Sequence, residues 1–135
     1  SSDLFEQAED VVYLHDMDGN FLFVNGAVEA VLEYSRDEFL QMNVGEIVIP
    51  EDFAKIQKVM LAAIRIVETG EDKPLTRRFE WTVITKTGRR IPIEASVRLV
   101  INNGRAVAAQ GIARDISDRK RVEAELRQQR EEQGV

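Results

Sequence analysis

The chain has 135 residues, a formal net charge of −6 and 44% hydrophobic residues, a composition that suits one domain with a single core. It contains no cysteine, which excludes disulfides, thiolate metal sites and a cysteine nucleophile. The acidic balance argues against nucleic-acid binding, which needs a basic face, and no apolar run reaches the length of a membrane span. These features predict a cytoplasmic protein without direct membrane contact. They are compatible with a membrane anchor elsewhere in a longer, full-length protein.

The N-terminal part of the chain predicts a short helix followed by a β-hairpin. Leu4 and Phe5 lead an amphipathic stretch whose helix would cap the sheet or pair with a partner chain. Residues 11–15 are β-branched and aromatic, residues 18–19 are an Asp-Gly turn signal, and residues 21–24 are apolar. This pattern predicts two antiparallel strands joined by a tight turn.

Helical signals follow the hairpin. Asn25 suits the cap of a helix that begins just after it. Ser35 and Glu38 stand three residues apart as a capping box, which predicts a second short helix. Pro50 opens a longer helix in the preferred way, and Gly70 stands where the C-terminal cap of that helix belongs.

The rest of the chain up to residue 113 reads as β structure. Residues 79–83 and 91–99 alternate apolar and polar side chains around a Thr-Gly turn. An Asn-Asn-Gly turn at residues 102–104 then leads into residues 106–113, which are small or branched. The order of elements is therefore two strands, short helices, one longer helix and three antiparallel strands, which is an α+β fold.

The junction at residues 111–121 joins the last strand to a charged helix. Asp115 can accept hydrogen bonds from N–H groups of the first helical turn and pair with Arg119, four residues on. Such a link, with Ser117 between the two, would fix the angle at which the helix leaves the sheet. The spacing alone fits an ordinary capped helix equally well.

Four motifs carry a family resemblance. Residues 18–25 form a hairpin segment that ends in Asn, and residues 32–40 fit a Gly-Tyr-Ser-x-x-Glu box with Glu33 in place of Gly. Residues 87–94 fit an Asp-Gly-Arg-x-x-Pro-Val-Glu strand with Thr in place of Asp, and residues 115–117 fit a closing Asp-aliphatic-Thr/Ser signature. Together these motifs resemble PAS sensor domains over nearly the whole chain.

The resemblance implies a PAS fold, which is a five-stranded antiparallel sheet with short helices and one longer helix over one face. An N-terminal helix and a C-terminal signalling helix complete it. Residues 1–117 would form the PAS sensory domain, and residues 118–135 would start a helical linker to an effector domain. In the family, the Asp and Arg at positions 115 and 119 form a salt bridge at the root of the signalling helix.

The function that the resemblance implies is a sensory and dimerisation module. It would relay a ligand, redox or partner signal to an effector, with a histidine kinase of a two-component system as first choice. Its homodimer would use Leu4, Phe5, Val122 and Leu126. The alternative is a ligand-free interaction module of a diguanylate cyclase or transcription regulator. A ketosteroid-isomerase-like enzyme is the least favoured interpretation, because no nucleophile and base stand together and no catalytic residue is assigned.

A candidate ligand pocket follows from strand alternation and from the apolar stripe of the long helix. Its lining is mostly apolar, which predicts a small apolar or planar ligand, or a core that is simply filled. The residues expected to point inward, with Asn25 as a polar contact, are Phe23, Asn25, Phe53, Ile56, Trp81, Val83, Ile93, Ala95 and Ala113.

The residues present limit which cofactors the domain could bind. A photoreactive flavin (FMN) adduct requires a cysteine, which the chain lacks. Haem in the oxygen-sensing relatives is ligated by a His on the long helix, whereas the one histidine here is His15 on the first strand, where a hydrogen-bonded or surface role is the simpler interpretation. The sequence is compatible with three alternatives: FAD that stacks on Trp81 or hydrogen-bonds to Asn25, a small metabolite, or no cofactor. No metal site is predicted.

Overall fold

The protein folds as one antiparallel sheet with helices over one of its faces, as the sequence predicts. A computed structural model describes residues 10–70 and 76–134; the expected N-terminal helix with Leu4 and Phe5 lies outside them. The strands are β1 (Val11–Asp16), β2 (Phe21–Val24), β3 (Arg77–Ile84), β4 (Arg90–Asn102) and β5 (Arg105–Asp115). The helices are α1 (Ala27–Val31), α2 (Arg36–Phe39), α3 (Val44–Ile47), α4 (Pro50–Glu68) and α5 (Ser117–Glu132).

The strand order across the sheet is β2-β1-β5-β4-β3, and every neighbouring pair is antiparallel. The first and last strands are therefore adjacent at the centre. The β1–β2 turn is closed by the Asp16 carboxylate, which accepts the N–H groups of Asp18 and Asn20, both at 2.9 Å. Because β5 leads directly into α5, the sheet centre and the last helix are joined without a loop.

The core lies between the sheet and the short helices. Phe39 is only 2% exposed, and its ring centroid lies 4.2 Å from that of Phe21. Val24 and Val28 are fully buried beside these two rings. The first two strands, α1 and α2 thus form one tightly packed unit, which the hydrophobic effect stabilises.

Two capping boxes hold the shortest helices. The predicted one is confirmed: Glu38 N–H donates to Ser35 Oγ at 3.1 Å, and Ser35 N–H donates to the Glu38 carboxylate at 2.8 Å. A second, which the sequence analysis missed, joins Asn43 and Glu46 at the start of α3. Helices of four residues are not stable alone, so these caps and the packing of Phe39 keep them folded.

Helix α4, like α5, contains no fully buried residue. Its first turn is tied to the sheet, since Thr82 N–H donates to the Asp52 carboxylate at 2.7 Å. Beyond that turn, the apolar side chains of α4 face a space above the sheet. Leu61, on the same helix, is 66% exposed. Helix α4 therefore covers the sheet without filling the volume beneath it.

Helix α5 leaves the sheet at a capped junction. Ile116 is 4% exposed, and its N–H donates to the Pro92 carbonyl at 3.0 Å. The Asp115 carboxylate accepts from the Ser117 N–H at 2.8 Å and from its hydroxyl at 2.6 Å. Beyond this junction no residue of α5 is buried. Within the ranges 10–70 and 76–134, no helix combines the length and the apolar character that a membrane crossing requires.

The expected Asp115–Arg119 salt bridge is wrong. Asp115 is engaged by Ser117, and Arg119 instead points to the sheet, where its guanidinium contacts Glu80 and Glu94. A motif read along the chain could not reveal that two carboxylates of neighbouring strands lie closer to Arg119 than Asp115 does.

Candidate functional site

A cavity of about 150 Å³ lies between the inner face of the sheet and α4. Its floor is formed by β1, β3, β4 and β5, and α4 closes it from above. Most of its wall is apolar. The contributing side chains include Val11, Tyr13 and His15 of β1, Phe79, Trp81 and Val83 of β3, and Ile56, Met60 and Ala63 of α4.

Small residues on the central strand create the space. On β5, Ala109, Gly111 and Ala113 alternate on the inner face and lie opposite the inward residues of β1. On β4, Ala95 is fully buried and pairs with Ala113. Because these side chains are short, they leave empty space above the centre of the sheet. Bulkier side chains occupy the space on both sides of it.

Aromatic rings stand on two sides of the cavity. On β1, the rings of Tyr13 and His15 are stacked with centroids 6.1 Å apart and planes 10° apart, and Phe21 meets both edge-on. On β3, Phe79 and Trp81 are stacked at 5.2 Å. Stacked and edge-on rings are favoured arrangements, so these aromatic contacts stabilise both walls.

Tyr13 lies directly across Gly111. The two residues are cross-strand partners, and a Cβ at position 111 would overlap the tyrosine ring. Glycine is therefore required by close approach. Burial raises the pKa of Tyr13 to about 12, because the phenolate would lose its hydration.

His15 is only 6% exposed. Its Nδ1 lies 2.7 Å from the Asp16 carbonyl oxygen, and since a carbonyl only accepts, Nδ1 carries the proton. Burial is the main cause that lowers the pKa of this imidazole, although the hydrogen bond to Asp16 and the charge of its carboxylate oppose the shift. The neutral ring therefore presents Nε2 as an acceptor.

The ionisation of Tyr13 gives a testable dependence of stability on pH. Its folded-state pKa of about 12 lies above the ordinary value of 10.0, so the unfolded chain releases the phenolic proton first. Raising the pH from about 10 to about 12 is expected to cost roughly 2–3 kcal/mol of unfolding free energy through this group. Denaturant titrations at several pH values should show this loss in the wild type and a smaller one in Tyr13→Phe; equal losses would contradict it.

The root of α5 is held by a salt-bridge cluster made of Glu80, Glu94, Arg119 and Lys120. Arg119 contacts Glu80 at 3.0 Å and Glu94 at 3.3 Å, and Lys120 contacts Glu80 at 2.7 Å. The hydrogen bond from Lys120 is the main cause that lowers the pKa of Glu80. These side chains are largely solvent-exposed, so each pair contributes little stability alone, but together they set where α5 lies.

The cavity and the salt-bridge cluster occupy opposite faces of the same strands. Phe79 and Trp81 face the cavity, and Glu80 between them faces α5. Ile93 faces the cavity, and the next residue, Glu94, faces α5. A shift of β3 or β4 at the cavity wall must therefore also move a carboxylate that holds Arg119.

Residues 9–118 match the family model described as PAS domain. The chain belongs to the PAS domain family. The PAS domain is 30% identical over 129 residues to the methyl sulfide methyltransferase-associated sensor of Methanosarcina acetivorans. The match covers 92% of this chain and 12% of that sensor, so the chain spans about an eighth of the curated relative's length.

Solved structures give the same result. A domain of a sensory box sensor histidine kinase/response regulator from Geobacter sulfurreducens is 32% identical, with a TM-score of 0.60, and the match covers 84% of this chain and 90% of that one. A sensory box histidine kinase/response regulator from Burkholderia thailandensis matches with a TM-score of 0.67 at 23% identity, covering 97% and 95% of the two chains. At that identity it shows the fold alone.

The PAS domain places most of the predicted pocket residues at or beside the cavity. Ile56, Trp81, Val83, Ile93 and Ala113 line it, and Ala95 is buried on the same face of β4. Phe53 lies instead in a neighbouring cleft between α4 and the β1–β2 turn, where its ring contacts Gly45.

Phe23 is a correction, because it is 45% exposed on the outer face of the sheet. The pairing of β1 with β2 shifts between Leu14 and His15, so Leu14 faces Phe23 whereas His15 faces Phe21. This bulge lets Phe21 and Val24 both point inward. Strict alternation along β2 could not predict it.

Asn25 is the second correction, since it does not line the cavity and does not cap α1, but bridges two backbone segments. Its Oδ1 accepts the Val12 N–H at 3.1 Å, and its Nδ2 donates to the Asp10 carbonyl at 2.9 Å. The residue before α1 is Gly26, which has no side-chain cap. Asn25 therefore fixes the end of β2 against the start of β1.

Two residues of the site were missed from the sequence. Alternation over residues 11–15 places Tyr13 and His15 on one face of β1, and this pattern could have identified them as pocket residues. The pattern does not give the register of β1 against β5. That register pairs Tyr13 with Gly111, which leaves room for the Tyr13 ring to lie across the sheet. In the described part of the chain, no group of three or more metal-ligating side chains occurs.

Proposed function

We propose that this PAS domain binds a small molecule in its cavity and relays the occupancy through α5 to an effector domain, with a histidine kinase of a two-component system as that effector. The observation that carries the proposal is the alternation of cavity-wall and α5-binding residues along β3 and β4. Its similarity to domains of sensor histidine kinases supports the choice of effector. The domain itself performs no catalytic step in this proposal.

The relay begins at Trp81. A ligand that displaces this side chain moves the backbone of β3 and with it Glu80, which holds both Arg119 and Lys120. The start of α5 stays anchored by Ile116 and the Asp115 cap. Because the start of α5 stays fixed while its contact with Glu80 shifts, the helix rotates about its first residues. Small movements of this kind are amplified at interfaces between domains or subunits.

The size of the cavity favours a small metabolite over a bound cofactor. A cavity of about 150 Å³ is the size of one that holds benzene in another protein, whereas the ring systems of FAD and haem are much larger. Helix α4 also carries no histidine that could ligate haem. The proposal therefore assigns neither cofactor to this domain.

Dimerisation through α5 is the second candidate role. Val122 and Leu126 are 49% and 48% exposed and lie four residues apart on one helix face. A second copy of α5 would cover them, as in a parallel coiled coil. A homodimer is compatible with sensing, and a ligand-free interaction module of a diguanylate cyclase or transcription regulator is the alternative. In either case the proposal places the domain in the cytoplasm, beside its effector.

Filling the cavity tests the proposal. Ala113 is 8% exposed on the cavity floor, and Ala113→Leu places three extra carbons there. We expect toluene, a small apolar molecule, to bind the wild type saturably in an NMR titration. It should bind Ala113→Leu at least about fivefold more weakly, because fitting it beside the larger side chain would overpack the cavity at a cost of about 1–3 kcal/mol.

Ile112→Leu is the matched control. Ile112 is the neighbouring residue on the opposite face of β5 and is 44% exposed, so this variant should bind toluene as the wild type does. Denaturant unfolding of each variant verifies that both remain folded. Unchanged toluene binding in Ala113→Leu, or no saturable binding to the wild type, would contradict the proposed cavity function.

A further inference from the structure

The cavity has a polar end on β1 that the relay does not use. His15 is buried, and its Nδ1 is engaged by the Asp16 carbonyl, which leaves Nε2 without a partner among residues 10–70 and 76–134. Tyr13 Oη likewise makes no hydrogen bond within the described residues. Unpaired polar groups in an apolar wall are costly, so each indicates a place for a ligand atom.

Both atoms are partly accessible, and His15 lies on the wall of this cavity and of the neighbouring cleft under α4. Every fully enclosed side-chain nitrogen or oxygen of the described residues has a hydrogen-bond partner. Tyr13 Oη and His15 Nε2 have none, so they are not fully enclosed, and both side chains lie on the cavity wall. The tyrosine ring crosses Gly111 toward the sheet centre, which brings its hydroxyl over the short side chains of the floor.

The remaining wall restricts the ligand's charge and shape. The charged residues that border the cavity, Arg77 and Arg98, are both exposed, so a ligand charge deep in the cavity would lose its hydration without a partner. The stacked Phe79 and Trp81 rings offer a flat apolar surface on the other side, which suits a planar ring.

We infer that the cavity selects a neutral, compact aromatic molecule with one hydroxyl group, which Tyr13 Oη and His15 Nε2 orient. The ligand hydroxyl accepts a hydrogen bond from the Tyr13 hydroxyl and donates its own proton to His15 Nε2. The ring lies toward Phe79 and Trp81. This inference rests on the proposed cavity function and specifies the chemical class of its ligand.

Three methylbenzenes that differ only in the group at the para position separate the two contacts. Toluene has no polar group, 4-methylanisole only accepts hydrogen bonds, and p-cresol both accepts and donates. We expect the wild type to bind p-cresol roughly fivefold to tenfold more tightly than toluene, with 4-methylanisole between them, because each net hydrogen bond contributes modestly.

Two variants assign the contacts. Tyr13→Phe removes only the hydroxyl and should lower the affinity for p-cresol and 4-methylanisole by roughly fivefold while leaving toluene unchanged. His15→Phe should lower the affinity for p-cresol alone. Tyr13→Phe keeps the ring that packs across Gly111, and denaturant unfolding verifies its fold. Should it destabilise the fold, the affinity of His15→Phe for p-cresol relative to 4-methylanisole tests the inference independently.

The outcomes distinguish this inference from the function on which it rests. Weaker p-cresol binding in both single variants, with toluene binding unchanged, supports it. Equal binding of toluene and p-cresol, with no effect of Tyr13→Phe, overturns the inference and leaves an apolar cavity that still depends on Ala113. No saturable binding of any of the three to the wild type overturns both.

Discussion

Phe39→Ala is expected to lower the free energy of unfolding by about 3–5 kcal/mol, the usual cost of removing a buried phenylalanine. Phe39 is 2% exposed, and its ring contacts Phe21 and also approaches Tyr34, at 6.3 Å between centroids. Its loss would leave a void beneath α2, which that four-residue helix cannot close. Because domains of this size are stable by only about 5–15 kcal/mol, the variant should be close to unfolding.

Urea denaturation followed by circular dichroism measures this effect. Phe39→Leu is the matched variant, because it keeps an apolar side chain of intermediate size and should cost clearly less than Phe39→Ala. An unchanged slope with a lower midpoint would locate the change in the folded state. A loss below about 1 kcal/mol for Phe39→Ala would mean that Phe39 is not the central core residue.

Arg119→Glu is expected to release the root of α5 from the sheet. The variant replaces a guanidinium that contacts Glu80 and Glu94 with a third carboxylate, so attraction becomes repulsion. Because these groups are exposed, the loss of folding stability should stay near 1 kcal/mol or below. The orientation of α5, by contrast, should change from one position to a broad range.

Distance measurements between two spin labels detect this change. The chain has no cysteine, so Arg105→Cys at the start of β5 and Glu125→Cys on α5 provide two exposed attachment points. Arg121→Glu is the matched control, since it makes the same charge change two residues on. Among the described residues, the ion-pair partner of Arg121 is Asp118 of its own helix. If both variants keep the narrow wild-type distance distribution, the cluster does not position α5.

Features set by local rules could be read from the sequence. The β1–β2 turn follows from its Asp-Gly pair, and the start of α2 follows from Ser35 and Glu38, because the groups involved are within a few residues of one another. The small and branched residues 106–113 also indicated a strand, which is β5. The fold class follows from the order of such elements.

Features set by distant partners could not be read in this way. The bulge in β2 turned Phe23 outward, and Asn25 is engaged by the backbone of β1. Arg119 is drawn to Glu80 and Glu94, which lie 39 and 25 residues away in the chain. These outcomes depend on strand register, which a single sequence specifies only through the whole fold.

The cavity has a similar origin. Alternation identified much of its wall, but the void itself results from the small residues of β5 lying beneath α4, whose first turn is tied to the sheet. No local pattern distinguishes such a void from a filled core. The packing of Tyr13 across Gly111 is likewise a property of two strands that are adjacent in space and distant in sequence.

The most direct test of the coupling between cavity and helix is the distance between labels at positions 105 and 125 during a p-cresol titration. We expect the distance distribution to shift as p-cresol is added and to saturate at the same concentration as binding to the cavity. The shift should be absent in Ala113→Leu, whose cavity is filled. Saturation of the cavity in the wild type without any change in this distance would contradict the proposal that occupancy moves α5.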